Sequence, residues 1–109
     1  MYLAKRAGKP VGLICIAPVL ALTGQSQQSM IGRNVGLLHE LPDQLAIMRG
    51  LTKWADRLRS PADAPGMVSE AFRRLLSGRQ RPVALECAMD TWARRAPVEL
   101  IAAPAQADP

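Results

Sequence analysis

His39 is the only histidine of the chain, and Glu40 follows it directly in a loop that precedes a predicted helix. An imidazole titrates near neutral pH, so His39 is suited to act as a general acid or base. A lone His-Glu pair is also common on ordinary protein surfaces. The sequence offers neither a nucleophile elbow nor a hydrolase triad around it. The pair therefore indicates a candidate site without specifying a reaction.

Lys53 precedes Trp54, and this pair could place a cation beside an aromatic face. The usual meaning of such a pair is different: the lysine stem covers a half-buried tryptophan while the ammonium group reaches water.

Other residue types that could do chemistry are poorly spaced. The glycines Gly24, Gly32 and Gly36 match neither G-x-G-x-x-G nor G-x-x-x-x-G-K-[ST], so no phosphate-binding loop is predicted. Cys15 and Cys87 lie in apolar, strand-like runs without a Cys or His at ligand spacing. We expect two reduced thiols, no metal site and no catalytic residue.

The composition bounds the class of protein. With 109 residues the chain can form one domain, and 49% hydrophobic and 21% charged residues are near globular averages. The net charge of +5 could suggest a nucleic-acid partner, but the arginines are dispersed and lack interleaved aromatic residues. We expect no nucleic acid and no membrane as partner, and a cytoplasmic location.

The apolar run at 11–22 is the main topological problem. It reads as two buried strands of a parallel sheet with only Ala17 between them, whereas parallel neighbours need a crossover of about a dozen residues. Three explanations are open: one long kinked strand, a targeting segment, or two strands whose connecting helix has been lost. Gly12 and Pro18 interrupt the run, which disfavours a signal peptide.

The following segments alternate between helix and strand signals. Pro42 fits the first turn of a helix, and 51–55 could either continue that helix or form a strand. Ser60 and Pro61 predict the start of a helix that ends before Gly78. A strand is predicted at 82–87. Strands alternating with helices argue for a doubly wound α/β fold. The polar, glycine-containing loop at 26–36 then lies at the carboxyl end of a strand, where open α/β sheets bind ligands.

The order of these segments resembles thiamine diphosphate-dependent enzymes of the acetolactate synthase type. The resemblance covers roughly 17–90 and corresponds to the later part of their N-terminal, pyrimidine-binding domain. The residues that carry it are Pro18-Val19-Leu20-Ala21-Leu22-Thr23-Gly24-Gln25, the loop to Gly36, Leu38-His39-Glu40, Thr52-Lys53, Ala71-Phe72, and Gly78-Arg79 before Pro82-Val83-Ala84-Leu85-Glu86.

The resemblance implies roles for three residues. Leu38 and His39 correspond to the Phe and Gln of a Phe-Gln-Glu segment that lines the substrate channel in the family, and Lys53 corresponds to a lysine at the channel entrance. Leu38 and His39 depart from the family pattern. They suggest a relative with another 2-keto acid or acyl-thiamine chemistry rather than acetolactate synthase activity itself.

The resemblance also implies what the chain lacks. The family's cofactor-activating glutamate and its diphosphate- and magnesium-binding domain have no counterpart in the sequence. Thiamine diphosphate with magnesium therefore belongs to the parent family and is not expected to bind tightly here. We expect a partial doubly wound parallel sheet with flanking helices, an incomplete pyrimidine-binding domain at 1–96 and a linker or disordered tail at 97–109.

The expected partner is either a second copy or the remainder of the parent enzyme, since an incomplete sheet exposes an edge. The alternative function is a non-catalytic α/β interaction module, and a basic nucleic-acid-binding module is disfavoured. For the run at 11–22, the resemblance favours loss of a turn and a helix. We predict one extended segment kinked near Pro18, with its second half in the sheet core; two adjacent parallel strands there would refute this.

Overall fold

The computed structural model describes residues 17–102. Three parallel strands and three helices alternate along this part of the chain, with 3-10 turns at Gln28–Met30 and Pro61–Asp63. The strands are β1 (Leu20–Gln25), β2 (Trp54–Leu58) and β3 (Val83–Ala88), and the helices are α1 (Gln44–Leu51), α2 (Ala64–Leu76) and α3 (Met89–Ala93). The predicted α/β class with a parallel sheet and flanking helices is confirmed.

The sheet order is β1-β3-β2, with both pairs parallel. Strand β3 lies in the centre and every one of its residues is buried. The expectation that the second half of the 11–22 run lies in the sheet core is wrong, because β1 is an edge strand among residues 17–102. The predicted kink is present, since the Val19 amide donates to the Ala17 carbonyl oxygen around Pro18 (3.0 Å). The first half of the run, with Cys15, lies outside the described residues.

The two faces of the sheet are covered by different helices. On one face, Ala71 and Leu75 of α2 pack against Val83 and Leu85 of β3. On the other, Leu45 of α1 packs with Ala55 and Ala84 in a smaller cluster, and Ala21 and Met48 lie beside it. Alternate residues of a strand point to opposite faces. Helices on both faces are the arrangement that a doubly wound sheet requires.

Helix α1 begins two residues later than its proline suggests. Asp43 is the N-cap, and its Oδ1 accepts a hydrogen bond from the Ala46 amide at 3.0 Å. Pro42 therefore precedes the cap, and the prediction that it lies in the first turn is wrong. The ambiguous segment at 51–55 is resolved as a boundary: α1 ends at Leu51 and β2 begins at Trp54.

Helix α2 has the ends that the sequence predicts. Ser60 and Asp63 form a capping box around the 3-10 turn that starts at Pro61, and the Asp63 carboxylate accepts from the Ser60 amide at 2.9 Å. After the helix, Gly78 adopts a φ of 56°, the left-handed conformation that glycine tolerates best. The predicted helix and the strand after it are confirmed, the strand with a shift of one residue.

Within 17–102, no helix is both long and apolar enough to cross a membrane. Residues 97–102 have no regular secondary structure. The boundary between a domain at 1–96 and a tail at 97–109 stays a prediction. Cys87 is a buried free thiol, as expected, and its burial, with a smaller effect from the nearby Asp90 carboxylate, raises its pKa. This thiol is poorly suited to act as a nucleophile.

Candidate functional site

A cleft of about 640 Å³ opens at the carboxyl end of β1. Its walls are mainly apolar and come from three separate segments: Met30 from the 3-10 turn, Leu37 and Leu38 from the following loop, and Met89 from the start of α3. In open α/β sheets, the loops that follow the carboxyl ends of neighbouring strands commonly leave such a crevice between them. The cleft thus lies where the sequence predicts a ligand-binding loop.

Five polar side chains line the same cleft: Gln25, Ser26, Gln27, His39 and Gln44. Leu38 and His39, two of the three residues singled out by the resemblance, therefore share one cavity. Leu38 is 84% exposed, and His39 is also exposed. Their side chains are available to a ligand rather than used to fill the protein core.

The loop that presents Leu38 and His39 is held by Glu40. The two carboxylate oxygens of Glu40 accept hydrogen bonds from the amides of Val35 (3.2 Å) and Leu37 (2.7 Å). The Glu40 amide in turn donates to the Leu37 carbonyl oxygen at 3.0 Å. His39 has a φ of 64°, in the left-handed region that few non-glycine residues adopt and where histidine is among the more frequent of them. Glu40 thus holds a tight turn whose exposed residues face the cleft.

Below the cleft, a buried carboxylate organises a polar network. Glu86 of β3 is 1% exposed and forms an ion pair with Arg57 of β2 through the guanidinium Nε. Its other oxygen, Oε2, accepts from Nε2 of Gln44 at 3.0 Å and from Nε2 of Gln25 at 3.5 Å. A buried charge requires such partners. The network fixes two of the amides that border the cleft.

The opposite wall is tied to α3. The Asp90 carboxylate accepts a hydrogen bond from the Gln28 amide at 3.0 Å, which joins the 3-10 turn to the segment after β3. Because Met30 belongs to that turn and Met89 precedes Asp90, the contact sets the spacing of the two methionines across the cleft. Methionine side chains adapt their shape, so this wall suits an apolar ligand of variable form.

Lys53 is placed apart from Leu38 and His39. It precedes β2 at the amino edge of the sheet, and its Nζ donates to the carbonyl oxygens of Arg74 (2.7 Å), Ser77 and Arg79 (3.2 Å). The face of the Trp54 ring is occupied by Arg74, whose Cζ lies 5.3 Å from the ring centroid. Lys53 therefore caps the carboxyl end of α2. Its role at a channel entrance stays a prediction.

Charged side chains and clusters of metal ligands are the features that a magnesium diphosphate site would use. Between residues 17 and 102, no group of three or more His, Cys, Asp and Glu side chains could hold a metal. The side chains that line the cleft include no lysine, arginine or carboxylate. The cleft therefore offers no carboxylate ligand for magnesium and no lysine or arginine for a diphosphate.

Sequence reasoning missed the floor of the site. Gln25, Gln44 and Glu86 were not singled out for chemistry, and neither were the two methionines of the wall. One signal was available: a glutamate within the otherwise apolar strand at 82–87 is expensive to bury and so predicts a charged partner. That Arg57 is this partner depends on the pairing of β2 with β3.

Comparison with known proteins yields no matching protein-family model. Among curated proteins, the chain is similar to the probable 2-ketoarginine decarboxylase AruI of Pseudomonas aeruginosa (31% identity over 76 residues, 70% of this chain and 14% of the relative). It is also similar to an acetolactate synthase of Arthrospira platensis (36% over 73 residues, 67% and 12%) and to 2-hydroxyacyl-CoA lyase 2 of Xenopus laevis (35% over 75 residues, 69% and 11%).

These matches confirm that about 70% of the chain resembles acetolactate synthases and related enzymes. The matched region spans only 11–14% of the length of those relatives.

Proposed function

We propose that this chain is part of the pyrimidine-binding domain of a thiamine diphosphate-dependent enzyme of the acetolactate synthase type. In this proposal the cleft at the carboxyl end of β1 is a section of the passage that admits a 2-keto acid. The observation that carries the proposal is that Leu38 and His39, which correspond to channel residues of the family, border one cavity of about 640 Å³.

The residues of the cleft have distinct tasks in this proposal. Leu37, Leu38, Met30 and Met89 exclude water and hold the apolar part of the substrate. His39 stands where the family has a glutamine, so we expect the preferred keto acid to differ from that of acetolactate synthase. The similarity to a protein named as a 2-ketoarginine decarboxylase is in keeping with a different keto acid.

We propose that the cofactor is bound elsewhere. The cleft has no cation or carboxylate in its lining, and residues 17–102 contain no metal-binding cluster. The remainder of the enzyme would then supply the site for thiamine diphosphate and magnesium, and this chain by itself would be inactive. A cytoplasmic location, expected from the sequence, is part of the same proposal.

The proposed partner is the remainder of the parent enzyme, packed beside β1. No strand within 17–102 pairs with the outer edge of β1, and Leu22 on this strand is 58% exposed. Free strand edges favour pairing with another chain. When the remainder is missing, we expect a second copy to take its place. Light scattering should then show concentration-dependent association that Leu22→Lys reduces and that Leu100→Lys, at an 89% exposed position, leaves unchanged.

Two experiments test the proposal. The nucleotide sequence on both sides of the gene is expected to encode a glutamate-bearing segment upstream and a Gly-Asp-Gly segment downstream; unrelated flanks would instead support the non-catalytic interaction module. Calorimetric titration of the isolated chain with thiamine diphosphate and magnesium is expected to show no tight binding. Tight binding would overturn the assignment of the cofactor site to the remainder of the enzyme.

A further inference from the structure

The orientation of one amide indicates which ligands the cleft prefers. Nε2 of Gln44 lies 3.0 Å from Oε2 of Glu86, 2.9 Å from the carbonyl oxygen of Gly24 and 3.2 Å from Oγ1 of Thr23. All three neighbours are oxygens. An amide nitrogen donates and cannot accept, so this environment holds the nitrogen of Gln44 toward the floor of the cleft.

The alternative orientation of the amide is excluded by its neighbours. A carboxylate that is paired with Arg57 and a backbone carbonyl can only accept hydrogen bonds. The hydroxyl group of Thr23 directs its own hydrogen toward the Leu85 carbonyl oxygen at 3.5 Å. Turning the Gln44 amide over would place its oxygen against these acceptors. The amide nitrogen therefore faces inward and Oε1 faces away from the floor.

Gln44 Oε1 is an acceptor without a donor among residues 17–102, and the side chain of Gln44 borders the cleft. Gln25 differs in this respect. Its Nε2 donates to Glu86 at 3.5 Å, and its Oε1 accepts from the Ser26 amide at 2.7 Å. The two glutamines therefore differ: both amide atoms of Gln25 have partners within the protein, whereas only the nitrogen of Gln44 does.

We propose that the cleft selects ligands in which an apolar chain ends in an uncharged or cationic hydrogen-bond donor, which Oε1 of Gln44 accepts. The apolar chain would lie against Met30, Leu38 and Met89. A terminal carboxylate is disfavoured at this point, because it would face the Gln44 oxygen above the buried carboxylate of Glu86. The inference rests on the proposed function only in assigning substrate binding to this cleft. If the substrate is a 2-keto acid, the hydrogen-bond donor is at the end of the molecule that is remote from the keto acid's carboxylate.

A set of matched probes tests this preference on the full chain. Hexanamide carries a donor, N,N-dimethylhexanamide lacks one, and hexanoate replaces it with a charged acceptor. We expect hexanamide to bind about three- to tenfold more tightly than the dimethyl compound, as one additional hydrogen bond would produce. Hexanoate should bind most weakly. Equal affinities of the wild-type chain for hexanamide and its dimethyl analogue would overturn the proposal.

Two variants identify the group responsible. Gln44→Met removes the acceptor, and the preference for hexanamide should disappear while the dimethyl compound still binds. Gln27→Met changes another cleft glutamine, one that is exposed, and should keep the preference. A preference that survives Gln44→Met would assign it to another acceptor, such as His39, and contradict the proposal. If Gln44→Met does not fold, the side-chain amide protons of Gln44 in the wild-type chain should shift with hexanamide and not with its dimethyl analogue, and an equal shift with both compounds would contradict the proposal. None of these outcomes depends on the gene flanks that test the proposed function.

Discussion

The two ends of the sheet use polar side chains in opposite ways. At the amino end, Lys53 directs its ammonium group to three backbone carbonyl oxygens and so completes the end of α2. At the carboxyl end, Gln44 borders the cleft with its amide nitrogen bound to Glu86 and its amide oxygen without a donor among residues 17–102, and His39 of the same cleft is exposed. The resemblance implies a channel role for both Lys53 and His39, yet their surroundings differ.

The comparison separates a structural polar group from one that is available to a ligand. The hydrogen-bonding capacity of Lys53 is used by its own chain, so Lys53→Met should alter stability. At the carboxyl end, Glu86 is buried and needs its hydrogen-bond partners to offset desolvation, whereas the side chains of Leu38 and His39 in the cleft are exposed. Changes to the buried layer should affect folding, whereas changes to the exposed layer should affect binding.

The largest effect is expected at Glu86. Glu86→Ala leaves Arg57 without its buried partner and should lower the free energy of unfolding by about 3–5 kcal/mol, measured by urea denaturation. Glu99→Ala, at an exposed position, is the control and should change little. A loss below about 1 kcal/mol at Glu86 would mean that the floor of the cleft is not a buried ion pair.

Lys53→Met tests the amino end. The three carbonyl oxygens would lose a charged donor at an exposed site, so the free energy of unfolding should fall by about 1 kcal/mol. Lys53→Arg should restore part of this loss, and the affinity of the cleft for hexanamide should be the same in both variants. Weaker ligand binding with unchanged stability would mean that Lys53 acts in ligand binding and not in stabilising α2.

Glu40→Gln tests the loop of the carboxyl end. One of the two carboxylate oxygens becomes an amide nitrogen that cannot accept from the Val35 or Leu37 amide. Hydrogen exchange at one or both of these amides should become faster, by an amount that corresponds to about 1 kcal/mol or less, while global stability changes little. Unchanged exchange at both amides would show that Glu40 does not hold the turn.

The smallest effect on stability is expected for Glu70, on the surface of α2. Hydrogen bonds and charge from Arg73 and Arg74 lower the pKa of Glu70 from 4.5 to about 2. Its ionised form is favoured by folding, so this contribution to stability is present above the ordinary pKa and is lost as pH falls toward 2. An NMR titration should give this low value, and Glu70→Gln should reduce the acid dependence. A normal pKa would indicate that these exposed pairs are not formed.

Local signals in the sequence predicted helix α2 and strand β3, because the capping box at Ser60, the glycine at 78 and an apolar run each act over a few residues. The position of β1 at the edge could not be predicted in this way, since strand order depends on contacts far apart in the sequence. The same reason explains the site. Leu38 and His39 were indicated by a resemblance, whereas Glu86 and Gln44 meet only after three segments have folded together.

The most direct test of the difference between the two ends is amide chemical-shift mapping of the chain during titration with hexanamide. We predict shifts at Ser26, Leu38 and Gln44, which border the cleft, and none at Lys53 or Ser77 at the amino end. Shifts centred on Lys53, or none in the cleft at saturating probe, would contradict the account that ligands bind at the carboxyl end of the sheet.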